Sequence, residues 1–264
     1  MSEMCDALKV TRQGYYAWKR RPPSAHAMRD EELATMISQL RAEVRDIYGT
    51  LKAFLELRRS GVRKTPLRRE ARIEEGLRRR PGQTQVQSRR PNKAWFADIS
   101  YVKTRQGWLY LALVMDIWSR RAVDWAMGSN ITPELADEAL KMALARRGNP
   151  RGCIHHSDHG SQCMSLMLSK TMREHGIRLS MGSISSPWDN AAMESLMGLV
   201  KSEGVHAWVY ATRDEAVLDL LEHTEVIYNR SRTRTALGYL NPAEFEEVNW
   251  PDDEGRPKAS MESG

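Results

Sequence analysis

The chain has 264 residues, 41% of them hydrophobic, and carries 40 basic against 34 acidic side chains for a formal net charge of +6. That length and apolar content provide for a real core and exclude a disordered chain. No apolar run of about 18 residues is present to span a membrane, and the N-terminus lacks the apolar core of a signal peptide, so a cytoplasmic address is expected. Cys5, Cys153 and Cys163 are far apart with no Cys-x-x-Cys pair, which argues against a disulfide framework or a structural zinc site. The charge is unevenly placed. Residues 1 to 93 hold 22 basic and 11 acidic side chains, a local +11, which leaves −5 for the remainder. A basic arm on an acidic body suits a polyanionic partner; a solvated helical surface is the plainer alternative.

The first 80 residues read as helical. "SEMCDALKV" and "TRQGYYAWKRR" are short candidates, the second capped by Thr11. "MRDEELATMISQLRAEVRD" has Leu33, Met36, Ile37, Leu40 and Val44 at spacings of three and four, an amphipathic helix. "GTLKAFLELRRSG" ends at Gly61, and Thr65-Pro66 predicts a further helix start. The polar, basic stretch from 78 to 92 has no period and reads as a linker. The pattern then switches. "KAWFADISYVKT", "GWLYLALVMDIWSR" and "RAVDWAMGSN" are rich in aromatic and β-branched residues, with Gly107 at the first turn, and predict an antiparallel meander. A helix in "TPELADEALKMALARRG", a strand in "CIHHSD", a helix in "SLMLSKTMREHG" and a strand in "IRLSMG" follow. "SSPWDNAAMESLMGLVKSE" and "TRDEAVLDLLEHTEVIYNR" then read as helices. The order implies a mixed α/β sheet, with a polar tail after about residue 247 that is expected to be frayed.

Three acids stand out on three separate elements. Asp98 lies inside a strand between Ala97 and Ile99, where an ionised carboxylate costs several kcal/mol unless it is paired or binds a cation. Asp158 ends a second strand, before "HGSQ". Glu194 sits one turn into a helix of small and apolar residues, on a face shared with Asn190, Ala191, Met197, Gly198 and Lys201. The opposite face, with Ala192, Leu196, Leu199 and Val200, is the expected core side. Hard oxygen donors without cysteine suit Mg²⁺ or Mn²⁺, and two such ions would clamp an in-line phosphoryl transfer. Each acid has a structural alternative in pairing with one of the many arginines. Asp116 is expected to pair with Arg120 or Arg121, Asp124 to face solvent, and Asp189 to cap the helix. Gly198 in mid-helix costs about 1 kcal/mol against alanine; close approach of a DNA backbone or close helix packing would each account for it. His155 and His156 point to opposite faces of a strand, so with His159 they suit hydrogen bonding behind the acidic ligands, or DNA contact, better than zinc.

"WFADISYVKT", "IHHSDHGSQCMS", "SPWDNAAMESLMGLVKSE" and "YNRSRTRTALGYLNPAEFE" resemble the OrfB-type transposases of bacterial insertion sequences, which share an RNase H-like core with retroviral integrases. That family carries an Asp, Asp, Glu set with 35 residues between the last two, the number that separates Asp158 from Glu194. The resemblance implies a mixed five-stranded sheet flanked by helices and preceded by a small basic all-α region. It divides the chain into a helical DNA-binding region (1–80), a linker (81–92), a catalytic core (93–232) and a C-terminal extension (233–264) whose end is disordered. It makes Asp98, Asp158 and Glu194 the catalytic and metal-binding residues for two Mg²⁺ or Mn²⁺ ions. Asn190, Lys201, His156 and Gln162 are the expected DNA contacts, Lys201 because related integrases carry a DNA-contacting lysine seven residues after the Glu. The implied partners are element-end and target DNA, further copies of the chain on that DNA, and an upstream OrfA-type product joined or separate. The implied address is the bacterial nucleoid. The reading from a different class is a catalytically inactive or repurposed DNA-binding protein that occupies element ends.

Overall fold

The structure is a computed structural model that describes Cys5, Ala7 and residues 9–43, 45, 48–62, 88, 90–157, 166–181, 187–201 and 209–252, the side chains of 50, 51, 181 and 187–192 excepted. The expected helix from Thr65, most of the expected linker, most of the first helical segment and the tail beyond 252 lie outside these residues. The chain forms two compact units, Met1–Thr65 and Pro66–Gly264.

The first unit contains helices α1 (Arg12–Arg20), α2 (Ala25–Glu43) and α3 (Thr50–Arg59). Thr11 caps α1 as its residue type predicts, its hydroxyl accepting the Gly14 N–H at 3.0 Å. Lys19 and Arg20 occupy the last turn of α1, and Arg58 and Arg59 that of α3, where cations meet the negative end of the helix dipole. Tyr48 and Ala53 form a small buried cluster with Leu40 against it.

The second unit is built on strands β1 (Ala94–Thr104), β2 (Gly107–Asp116), β3 (Ala122–Gly128), β4 (Ile154–Ser157) and β5 (Arg178–Met181). They form one sheet in the order β3-β2-β1-β4-β5. The meander β1–β2–β3 is antiparallel, and β4 and β5 run parallel to β1. Gly107 takes a φ of +111° at the β1–β2 turn, a region open to glycine and strained for other residues. The Thr104 hydroxyl closes that turn by donating to the Gly107 carbonyl at 2.7 Å. Helices α4 (Pro133–Arg146), α5 (Leu166–Glu174), α6 (Pro187–Leu199) and α7 (Arg213–Glu222) follow the strands; α7 runs on as a π-helix over His223–Ser231, and α8 (Pro242–Asn249) closes the unit.

Alternation along β1 sorts the two faces of the sheet. Trp95 packs with Ala112, Val114 and Val123 beneath Leu140 and Leu144 of α4 and Leu168 and Met172 of α5. Phe96 and Val102 pack with Leu111, Leu113 and Met115 beneath Met193, Leu196 and Met197 of α6, with Leu220 and Tyr228 beside them. The first half of β1 and the second half of β2 are therefore covered on both sides, and a charge there needs a specific accommodation, whereas the hairpin end of the two strands is exposed on one face.

Two polar devices tie the C-terminal part to this sheet. The Asn229 side chain grips the backbone of Ala122, accepting its N–H and donating to its carbonyl, both at 3.0 Å, while the Tyr228 hydroxyl donates to the Arg120 carbonyl at 2.8 Å. The "YN" of the C-terminal motif thus extends the hydrogen bonding of β3 through an amide side chain. The second device is the carboxylate of Glu246 on α8, 3% exposed, which accepts from Ser119 Oγ at 2.7 Å, from Arg121 at 2.8 Å and from both terminal nitrogens of the buried Arg147. Burial alone would raise the Glu246 carboxyl; the guanidiniums of Arg147 and Arg121 outweigh it and hold the group below the ordinary glutamate range. A capping box between Asn241 and Glu244 starts α8.

The structure corrects two expectations about acids. Asp124 does not face solvent; it is 4% exposed and accepts from Arg146 Nε at 2.8 Å. Asp116 is fully buried and its oxygens accept the N–H groups of Asn92 and Trp118 at 2.8 and 3.0 Å, so backbone amides stand where Arg120 or Arg121 was expected. Burial pushes its pKa up to about 6 against the pull of Arg147.

Breaking the buried Glu246 pair leaves Arg147 charged in the interior, so Glu246→Gln is expected to lower unfolding free energy at pH 7 by about 3 kcal/mol in urea denaturation. The lowered Glu246 pKa contributes stability above the ordinary glutamate range that is lost as pH falls through it. The variant therefore loses less stability than the wild type when the same denaturation is repeated below pH 4.5.

Candidate active site

Asp98 stands at a half-buried position of β1, opposite Leu113 of β2 and on the face that bears Phe96 and Val102. Its Oδ1 accepts the N–H of Ile99 at 2.8 Å. The neighbours on that face, Phe96 and Ser100, are 5% and 4% exposed, so the carboxylate sits in a depression of an otherwise closed surface.

β4 approaches from the other side. Its pairing with β1 runs from Ala94↔Ile154 to Ala97↔Ser157 and stops at the residue before Asp98 on one strand and before position 158 in the other sequence. Asp158, His159 and Gln162 lie outside the described residues. His156 does share the Asp98 face: its ring stacks on Phe96 with centroids 4.7 Å apart and planes at 17°. His155 points the opposite way, 2% exposed, and burial, helped by His156, pushes its pKa down to about 4, so its imidazole is neutral. The two histidines cannot serve one zinc ion, in keeping with the alternation of a strand.

α6 packs on the same face. Met193, Leu196, Met197 and Val200 recur at helical spacing and are all 5% exposed or less. Glu194, Ser195 and Gly198 are exposed on the outward side. Met197, expected beside Glu194, belongs instead to the core. The backbone of Asn190 lies in α6, and its side chain is outside the described residues. A Cβ at Gly198 would meet no described atom within 4 Å, so close helix packing, one of the two explanations for this glycine, is not seen among the described residues.

Lys201 follows α6 directly. Its ammonium lies 4.8 Å above the ring of Tyr101, a cation–π contact that motif and spacing do not reveal; the only hint is that Tyr101 and Lys103 alternate with buried Ser100, Val102 and Thr104. Asp98 and Glu194 thus sit on two elements packed together on one sheet face. Carboxylate oxygens are donors suited to a hard divalent cation rather than to zinc or copper. Among the described residues no cluster of three metal-ligating side chains forms.

The family described as "Integrase core domain" matches residues 88–187. The uncharacterized 31 kDa protein of insertion element IS600 from Shigella sonnei is 35% identical, over 92% of this chain and 97% of its own. Transposase InsF for insertion sequence IS3A from Escherichia coli (strain K12) is 31% identical over 93% of both chains. Among solved structures, a chain of the simian T-cell lymphotropic virus intasome in complex with PP2A regulatory subunit B56 gamma superimposes with a TM-score of 0.51 at 18% identity, over 69% of this chain and 63% of that one, a likeness of fold. The sheet order, the covered faces and these relatives lead to one statement: the chain belongs to the insertion-sequence transposases that carry an integrase core on an RNase H-like sheet.

Proposed function

We propose that the chain cuts the ends of an insertion sequence and joins them to new DNA, with Asp98, Asp158 and Glu194 as its acidic set. The observation that carries the reading is the half-buried Asp98 carboxylate on the sheet face that α6, with Glu194, covers. Two further features support it: the β1–β4 pairing ends one residue before Asp98, and 35 residues separate Asp158 from Glu194.

In the first step water attacks the phosphorus at an element end as the bond to the 3′ oxygen breaks, leaving a 3′-hydroxyl. In the second, that hydroxyl attacks a phosphodiester of another strand, whose own 3′ oxygen departs. The chain contributes position and charge. Asp98 and Glu194 hold the reacting phosphate's surroundings in register from a strand and a helix, rigid elements that fix geometry before the reaction. Asp98, Asp158 and Glu194 would hold two Mg²⁺ or Mn²⁺ ions, which would supply the Lewis acidity that offsets charge on the phosphoryl oxygens. Lys201, Asn190, His156 and Gln162 contact the DNA strand. Residues 1–80, the most basic part of the chain, bind DNA backbone, followed by a linker (81–92), the core (93–232) and an extension (233–264). Two ends must be held together, so the active species is an oligomer on DNA, with an OrfA-type product as further partner, working at the nucleoid.

Replacing Glu194 with Gln, or Asp98 with Asn, removes a charge at constant volume. Each is expected to lower Mg²⁺-dependent nicking of end DNA by at least about a hundredfold with DNA binding retained; wild-type nicking by either variant would overturn the assignment. Gly198→Ala should raise unfolding free energy by about 1 kcal/mol, the helix-propensity difference. Gly198→Leu should weaken DNA binding in an anisotropy titration without loss of stability, because the open surface at Gly198 is where the DNA backbone comes close; unchanged affinity would rule that contact out.

A further inference from the structure

Beyond the carboxylates lies a second surface at the β1–β2 hairpin. The register Tyr101↔Tyr110 and Lys103↔Trp108 places these four residues on one face of the two strands. Tyr101 and Trp108 are 54% and 44% exposed and meet edge to face, with ring centroids 5.1 Å apart. Val102 and Leu109, which point the other way, are each 2% exposed, so the hairpin is a buried wall with an aromatic outer surface.

Cations surround that surface. Lys201 lies over Tyr101, and Lys103 and Arg105 are exposed along the hairpin. Arg213 donates from Nε to the Trp108 carbonyl at 3.0 Å, and its own N–H donates to Gln106 Oε1 at 3.0 Å, which braces the strand beneath the indole. The nearest acids in sequence are Glu203, two residues from Lys201, and Asp214 and Glu215 beside Arg213; Glu215 accepts the N–H of Ala211. Exposed aromatic rings bordered by lysine and arginine side chains suit nucleic-acid bases and their phosphates.

The surface faces away from Asp98, and Lys201 connects the two. It lies two helical turns, about 10 Å, beyond Glu194, and its ammonium reaches the far side of β1 at Tyr101. A rigid duplex does not follow such a corner, whereas a few unpaired nucleotides do. Unpaired bases cost least at a duplex end, which is what cleavage at an element boundary creates; continuous target DNA offers none.

We infer that Tyr101 and Trp108 form a stacking platform for an unpaired nucleotide of the cut element end, led to it by Lys201. This rests on reading Asp98 and Glu194 as the cleavage site. The substrate feature it selects is a frayed terminus rather than a base sequence, since stacking reads no base edge.

The test uses the full chain without divalent metal, so that no cleavage occurs, and two short duplexes of the same sequence. One ends in unpaired nucleotides that carry 2-aminopurine; the other has both ends closed by non-nucleotide linkers, so that it offers no unpaired base. Wild-type protein should bind the frayed duplex more tightly and quench its 2-aminopurine. Trp108→Ala and Tyr101→Ala should each lose about tenfold in affinity for the frayed duplex, the size of one base–aromatic stack, with the closed duplex unaffected. Trp108→Phe should retain both affinity and quenching. Equal loss on both duplexes, no loss on either, or a Phe variant as weak as the Ala variant would overturn the platform. Because binding is read in the absence of metal, these outcomes stand apart from the nicking of the Glu194→Gln variant, whose failure would strike the cleavage site instead.

Discussion

A carboxylate half-buried in the face of a closed sheet is the constraint around which the core is arranged. Asp98 lies in the same strand face as Phe96, Ser100 and Val102, all nearly inaccessible, and a charge there loses much of its hydration. A strand that merely had to fold would place an apolar residue at that position, as Leu113 does directly opposite. Keeping an acid there is consistent with a site that trades stability for chemistry. The sheet order places β1 centrally, between an antiparallel partner that covers its whole length and a parallel partner that stops just short of Asp98. The carboxylate is thus held by a rigid strand at the point where the pairing on one side gives out.

Two other buried acids are matched by arginines inside the protein. Asp124 meets Arg146, and Glu246 meets Arg147 and Arg121 with Ser119 completing its hydrogen bonds. These pairs explain why a chain with so many arginines and acids folds around them. They also give the C-terminal helix a structural role, because it carries the counter-charge for the guanidiniums that surround the end of β2. The aromatic contacts of Trp118 with Phe245 and Trp250, at 5.1 and 5.7 Å, fasten the same helix from its apolar side. The sheet and the C-terminal helix are joined chemically as well as in sequence.

Local composition outlined this core, since β1, β2 and β3 follow the runs rich in aromatic and β-branched residues and α4 starts at the expected Thr132-Pro133. The position of Asp98 within a strand, the split of His155 and His156 to opposite faces, and the burial of Leu196 and Val200 were all legible from spacing. What periodicity hides is the identity of long-range partners. Nothing local distinguishes an Asp124 that faces solvent from one that meets an arginine 22 residues later. The grip of Asn229 on Ala122 spans 107 residues, and the run of α7 into a π-helix that delivers Asn229 has no period of its own. Helix α8 carried a local signal, Asn241 and Pro242 before Glu244, yet lies in the C-terminal extension, where no element is expected from the sequence and only the end is expected to be frayed. The contact of Lys201 with Tyr101 joins residues whose strand and helix must first be folded.

The proposed chemistry stands on the acids acting together on a divalent cation. Mn²⁺ binding to the full chain, read by loss of the free-ion paramagnetic resonance signal, tests this without any DNA substrate. Asp98→Asn and Glu194→Gln should each weaken Mn²⁺ binding by at least about tenfold relative to the wild-type chain. A variant lacking either carboxylate that bound Mn²⁺ as tightly as the wild type would contradict the shared site.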